Sequence, residues 1–174
     1  GYEHQSIAQY PKLAERAFQI SSLGKFFGVE GWKIGYCVAP AKMMDDFRRF
    51  EHVLSFSVNT PLQIAFTEIY DKRDAYQSIA GKYQKKRDFL LSSLQNSRFK
   101  MIPALGGYFQ LLNYGEISDE KDTDFVQRLL VEHKIAVFPL SCFYHDATDH
   151  SYIRICIAQT DDTLAKAADI LSRL

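Results

Sequence analysis

The stretch "SSLGKFFGVEGWKIGYCVAP", residues 21–40, holds four of the nine glycines, the single tryptophan, and two lysines, Lys25 and Lys33, eight positions apart. Just before it, "AFQISS" (17–22) alternates Phe18 and Ile20 at period two and predicts a strand. "WKIGYCVAP" (32–40) predicts a second strand, stopped by Pro40. A strand, a glycine-rich turn and a strand would bring Ser22 and Lys33 beside Lys25. A hydroxyl and a cation that converge suit a phosphate. Gly28, Gly31 and Gly35 would let the backbone pass close to a ligand. The rings of Phe26 and Phe27 would leave the Lys25 ammonium poorly solvated, which favours a neutral, nucleophilic amine. By chemistry alone a solvated turn lysine is the commoner case, and Lys33 reads equally well as an outward-facing strand residue.

Outward from this stretch the pattern becomes helical. Met43, Phe47, Phe50 and Leu54 recur on one helical face. "NTPLQIAFTEIY" (59–70) predicts a helix with Thr60 as N-cap, Pro61 in the first position, and a stripe of Leu62, Ala65, Phe66 and Ile69. Ile79, Tyr83, Leu90 and Leu94 mark the buried face of a long charged helix whose wet face is "KYQKKRD" (82–88). Beyond it, "FKMI" (99–102), "YFQLLNY" (108–114), "IAVFPL" (135–140) and "YIRICIA" (152–158) predict strands. "DTDFVQRLLVEH" (122–133) and "TDDTLAKAADILSRL" (160–174) predict helices, the second with Asp161 and Asp162 suited to the dipole of its first turn. The pattern divides the chain into residues 1–75 and an α+β domain over 76–174.

Composition narrows the function classes. A hydrophobic content of 47% and a charged content of 24% are ordinary for a globular protein. Lys plus Arg (21) balances Asp plus Glu (21), which gives no electrostatic case for nucleic acid or an anionic membrane. No apolar run approaches the ~20 residues of a membrane helix. Cys37, Cys142 and Cys156 form no CxxC and read as buried, reduced thiols of a cytoplasmic protein. "FYHDATDHS" (143–151) clusters His145, Asp146, Asp149 and His150, but in a spacing that fits no familiar metal set, so no metal is expected. "GYEHQ" at the start has no initiator methionine and reads as the middle of a longer protein.

Two enzyme classes share the local S-x-x-K pattern. In the β-lactamases and penicillin-binding proteins Ser22 would be the nucleophile and Lys25 its partner, and "SVN" (57–59) resembles their second motif. Their third motif, K-T-G, has no counterpart. The other match extends over the whole chain. "SSLGKFFGVEGWKIGYCVAP" resembles the lysine segment of fold-type I aminotransferases, S-x-[GA]-K with a basic residue eight positions on. It is most similar to the methionine, kynurenine and glutamine-K transaminase group, which shares the GW[KR]-x-GY run. "SFSVNTP" (55–61), "GGYFQLL" (106–112), "VFPLSCFY" (137–144) and "IRICIA" (153–158) resemble further segments of that family in the same order. Lys33 departs from the arginine of many members and offers a point charge instead of a bidentate fork.

The resemblance implies an α/β architecture, the pyridoxal phosphate (PLP) transferase fold type I. Residues 1–75 would be the C-terminal part of the large PLP-binding domain and 76–174 the small C-terminal domain. It implies transfer of an amino group between an amino acid (methionine, aromatic or glutamine-like) and a 2-oxo acid. Lys25 would bond PLP and move the proton, Ser22 and Lys33 would bind its phosphate, and Tyr2 would contact its ring oxygen. Arg154 would grip the substrate carboxylate, with Phe56 and Tyr108 lining the substrate site. The residues themselves place Arg154 on the face opposite Ile153 and Ile155; a charge there is costly unless it meets an anion or lies on a wet face. The family implies a homodimer with active sites at the interface. Its members have roughly twice this length, so a piece of this size is expected to bind PLP weakly and turn nothing over. A C–S lyase on the same fold and a non-catalytic homologue are the alternatives.

Overall fold

The computed structural model describes residues 3–72 and 74–174, of Ala75 the backbone only. Backbone packing divides the chain into two compact units, Gly1–Ile79 and Ala80–Leu174.

In the first unit a 3-10 turn, Ile7–Gln9, leads into α1 (Pro11–Ala14), β1 (Gln19–Ser22), α2 (Leu23–Phe27), a 3-10 turn at Glu30–Trp32, and β2 (Gly35–Val38). Three helices follow: α3 (Ala41–Leu54), α4 (Thr60–Tyr70) and α5 (Asp74–Gln77). The expected glycine turn after Ser22 is therefore a helix. Leu, Lys and Phe at its positions tolerate helical backbone, and Gly28 closes it at φ 70°, a left-handed conformation that costs glycine nothing. The second strand is shorter than 32–40. Trp32 ends a 3-10 turn and Lys33 sits at φ 50°, so pairing starts only at Gly35.

The rings explain why α2 stays where it is. Phe66, buried on α4, meets Phe27 at 5.5 Å and Trp32 at 5.7 Å between ring centres. The α4 stripe lies as expected, but its cap does not: the Asn59 side chain accepts from Leu62 N–H, and Thr60 is already helical. The α3 stripe is only half packed. Phe47 meets Phe18, whereas Phe50 and Leu54 are 71% and 83% exposed.

The second unit contains α6 (Ile79–Ser93), β3 (Phe109–Asn113), α7 (Asp122–His133), β4 (Phe138–Pro139), β5 (Tyr152–Cys156) and α8 (Asp161–Leu171). Its antiparallel sheet has the order β3-β5-β4. Ile153 and Ile155 of β5 and Leu112 of β3 pack beneath it against Leu90, Phe125, Leu129, Leu164 and Leu171. Two expected strands shrink. Residues 99–102 make one bridge, Lys100 to Asn113, and only Phe138–Pro139 of 135–140 joins the ladder. The expected wet face of α6 is also broken: Lys86 reaches the Gln159 carbonyl and the Asp161 carboxylate, and Arg87 donates to the Ala104 carbonyl at 2.8 Å.

Candidate active site

In the first unit the β1–β2 ladder sets Ser22 directly opposite Gly35. The Leu23 N–H donates to the Ile34 carbonyl at 3.1 Å, so the chain leaving Ser22 runs beside the chain arriving from Lys33. The Ser22 hydroxyl makes no capping bond to α2. Lys25 stands in the middle of that helix, with Nζ 3.8 Å from the Glu30 carboxylate. Its side chain is 57% exposed, which corrects the expectation of a poorly solvated ammonium. Phe26 and Phe27 turn instead to Tyr76, at 6.3 and 6.2 Å. Lys33 is exposed and in left-handed backbone, not an outward strand residue.

Gly35 has a structural reason of its own. A Cβ at Gly35 would lie 2.4 Å from the Ser21 carbonyl oxygen. The ladder itself demands glycine there. A cavity of about 150 Å³ lies nearby, lined by Ser21, Phe26, Phe27 and Tyr36 among others, but neither Lys25 nor Lys33 lines it. Phe56, at φ 63° and 73% exposed, lies against His52 with ring centres 5.3 Å apart. Tyr2 lies outside the described residues.

In the second unit the chemistry centres on Arg154. It occupies the middle strand, opposite Leu111 on β3 and Phe138 on β4. The alternation expected from sequence is present: Ile153 and Ile155 are buried, and Arg154 lies on the other face. Three rings surround its guanidinium, Phe109 at 4.1 Å, Phe143 at 4.6 Å and Phe138 at 5.1 Å from Cζ. Its Nε is buried and has no hydrogen-bond partner among the described residues. A buried donor left unmade costs about 1–3 kcal/mol, and a carboxylate would satisfy it. Tyr108 follows Gly107 and meets Tyr83 and Phe109 at 5.7 and 4.6 Å between ring centres.

Sequence reasoning did not single out Phe138 and Phe143. Their quoted segment carried the resemblance, but a two-residue strand and a 3-10 turn have no periodicity to read. It also missed a buried polar network. The Asp122 carboxylate accepts from the Ser141 N–H and hydroxyl, and Asp149 accepts from the Asp122 N–H at 2.8 Å and the Tyr114 hydroxyl at 3.4 Å. Burial, with the charges of Asp149 and Asp122, pushes the Tyr114 hydroxyl well above its ordinary pKa. Hydrogen bonds from Thr148 hold the Asp146 carboxyl below the usual range, and His150 packs edge-on against Tyr144 at 5.1 Å.

The sequence matches the family described as aminotransferase class I and II over residues 2–171. It is 41% identical over 172 residues to methionine aminotransferase of Escherichia coli (strain K12), covering 98% of this chain and 45% of that protein. It is 30% identical to kynurenine–oxoglutarate transaminase of Dictyostelium discoideum, covering 100% of this chain and 45% of that protein. The chain thus spans about half the length of the curated relatives it matches. An Escherichia coli crystal structure whose reactivity identifies a methionine aminotransferase function superposes with a TM-score of 0.94 at 41% identity, covering 98% of this chain and 46% of that one. N-succinyldiaminopimelate aminotransferase from Mycobacterium tuberculosis gives 0.90 at 28% identity, covering 99% and 45%. The fold is α/β and that of the fold-type I PLP aminotransferases. By the match over nearly its whole length, the chain belongs to the class I and II aminotransferases.

Proposed function

We propose that the protein is a PLP-dependent aminotransferase, moving an amino group between an amino acid and a 2-oxo acid, with methionine as the leading donor and aromatic or glutamine-like amino acids as the neighbouring class. The observation that carries this reading is the Arg154 guanidinium, whose buried Nε has no acceptor among the described residues. Such a cation fits a substrate carboxylate bidentately.

The residues of the first unit fit the cofactor. Ser22 has an uncommitted hydroxyl at the strand end, and Lys33 contributes a cation from the chain beside it. Together they would hold the phosphate, and Lys25 would bond the cofactor's aldehyde carbon. When bound, the cofactor supplies a ring that takes up the electron pair left at the substrate Cα. Lys25 Nζ would take the proton from the substrate Cα and deliver it, across the transferred nitrogen, to the cofactor's former aldehyde carbon. Its exposed contact with Glu30 is worth at most about 1 kcal/mol and does not hold it back. Arg154 would fix the substrate's orientation through its carboxylate.

On this reading the first unit is the C-terminal part of the PLP-binding domain and the second the small domain. A homodimer is supported by Phe50, Val53, Leu54 and Phe56, which α3 and the segment after it leave exposed. The thiols are not buried as expected, Cys142 being exposed and Cys37 and Cys156 half-buried, but all three are free, which supports a reducing, cytoplasmic setting.

The test is borohydride reduction of the purified full-length protein mixed with PLP, followed by peptide mapping. The label is expected on Lys25. A label elsewhere, or full turnover by Lys25→Ala, would sink the proposal. Incubation of the full-length protein with methionine and a 2-oxo acid should yield a new amino acid; thiol and ammonia instead would assign it to the C–S lyases.

A further inference from the structure

We propose that Phe109, Phe138 and Phe143 are positioning residues for the carboxylate anchor, holding the Arg154 guanidinium so that its Nε–H stays open to a single incoming carboxylate. The inference rests on the reading of Arg154 as that anchor and adds how it is held and what it excludes.

The sheet builds the arrangement. Arg154 lies between two strands, with Phe138 its direct partner on β4 and Phe109 two residues from its partner Leu111 on β3, hence on the same face. Phe143 enters from the 3-10 turn Ser141–Phe143, whose first residue is bonded to Asp122. All three rings lie within 5.1 Å of Cζ. Aromatic faces attract a guanidinium without offering it a hydrogen-bond acceptor. The long side chain is therefore held in place while its donors stay unspent. An acidic or amide side chain at any of the three positions would compete with the substrate for those donors.

Exposure supports a purpose beyond packing. Phe138 and Phe143 are 55% and 56% exposed, so neither is a core residue. Large rings kept at a surface with a cation between them contribute little to folding. Their contribution is preorganisation, which lowers the ordering cost of binding.

The experiment reads the Arg154 Nε–Hε resonance in the ¹⁵N-labelled purified protein, assigned through Arg154→Lys, during titration with L-methionine. The parent should show a saturable shift. The double variant Phe138→Leu/Phe143→Leu should broaden the resonance and weaken methionine binding about tenfold, with thermal unfolding little changed. Phe143→Tyr, which keeps a ring, should bind like the parent. Phe143→Leu alone gives the same readout in a smaller step if the double variant does not fold. Leucine variants that bind like the parent, while Arg154→Lys loses binding, overturn the positioning role and leave the anchor standing. Undiminished binding by Arg154→Lys overturns the anchor itself.

Discussion

Ser141 donates both its backbone N–H and its hydroxyl to the buried carboxylate of Asp122, each at 2.7 Å. One residue starts α7 and the other starts the turn that carries Phe143, so a pair 19 residues apart ties the helix to the aromatic wall around Arg154. Asp122→Ala leaves both Ser141 donors buried without an acceptor and is expected to cost about 2–4 kcal/mol. Ser141→Ala removes one bond to a charged acceptor and should cost about 1.5–3 kcal/mol. Urea unfolding checks both; a change below about 0.5 kcal/mol in either, the range of an ordinary surface substitution, would contradict the network.

Tyr114 makes stability depend on alkaline pH. Its pKa is raised in the folded protein, first by burial and then by Asp149 and Asp122. A group whose folded pKa lies above its unfolded value contributes stability that is complete below the unfolded pKa, about 10 for tyrosine, and is lost as pH rises beyond it. The parent should weaken above about pH 10. In Tyr114→Phe the hydroxyl's bond to the Glu120 carbonyl is gone, so the variant is weaker at pH 8, but this part of the alkaline loss disappears. Unfolding curves from pH 8 to 11 should therefore converge. Parallel curves would refute the assignment.

Gly35→Ala places a Cβ against the Ser21 carbonyl oxygen. Backbone has to shift, at about 1–3 kcal/mol, and the shift moves Ser22 from its place opposite Gly35. PLP binding should weaken together with stability. Gly31→Ala is the control, since nothing lies within 4 Å of its added carbon. Equal effects in the two variants would remove the ladder as the cause.

Asn59 and Thr60 separate two readings of one helix start. Asn59 accepts the Leu62 N–H at 3.1 Å, so Asn59→Ala should destabilise by about 1 kcal/mol. Thr60→Ala, at a position already helical, should change stability by less than half of that. The reverse order in thermal unfolding would restore Thr60 as the cap.

How much was legible can be said residue by residue. Alternation along "YIRICIA" placed Arg154 opposite Ile153 and Ile155 because a strand's side-chain period is two whatever its neighbours are. The stripe of α4 was legible for the same local reason, at the helical period. By contrast, α3 looked equally amphipathic, yet Phe50 and Leu54 are exposed. A stripe states which residues seek burial, not whether anything covers them. The one-residue error at Asn59 arose because both residues are good cap formers, and only backbone geometry chooses between them. The surroundings of Lys25 were not legible, because ring direction follows from contacts with Tyr76 and Phe66 far along the chain.

The sequence by itself determined the segments that mark the family, the buried faces of α4 and α6, and the face of β5 that carries Arg154. Each depends on spacing within a few turns or pleats of one element. Tertiary structure decided the rest: a helix rather than a turn under Lys25, a glycine at 35 for the strand beside it, and three rings around one guanidinium. It also decided the Asp122–Ser141 bond. Those features need partners distant in sequence, and only packing brings such partners within the few ångströms over which rings, hydrogen bonds and unpaired donors act.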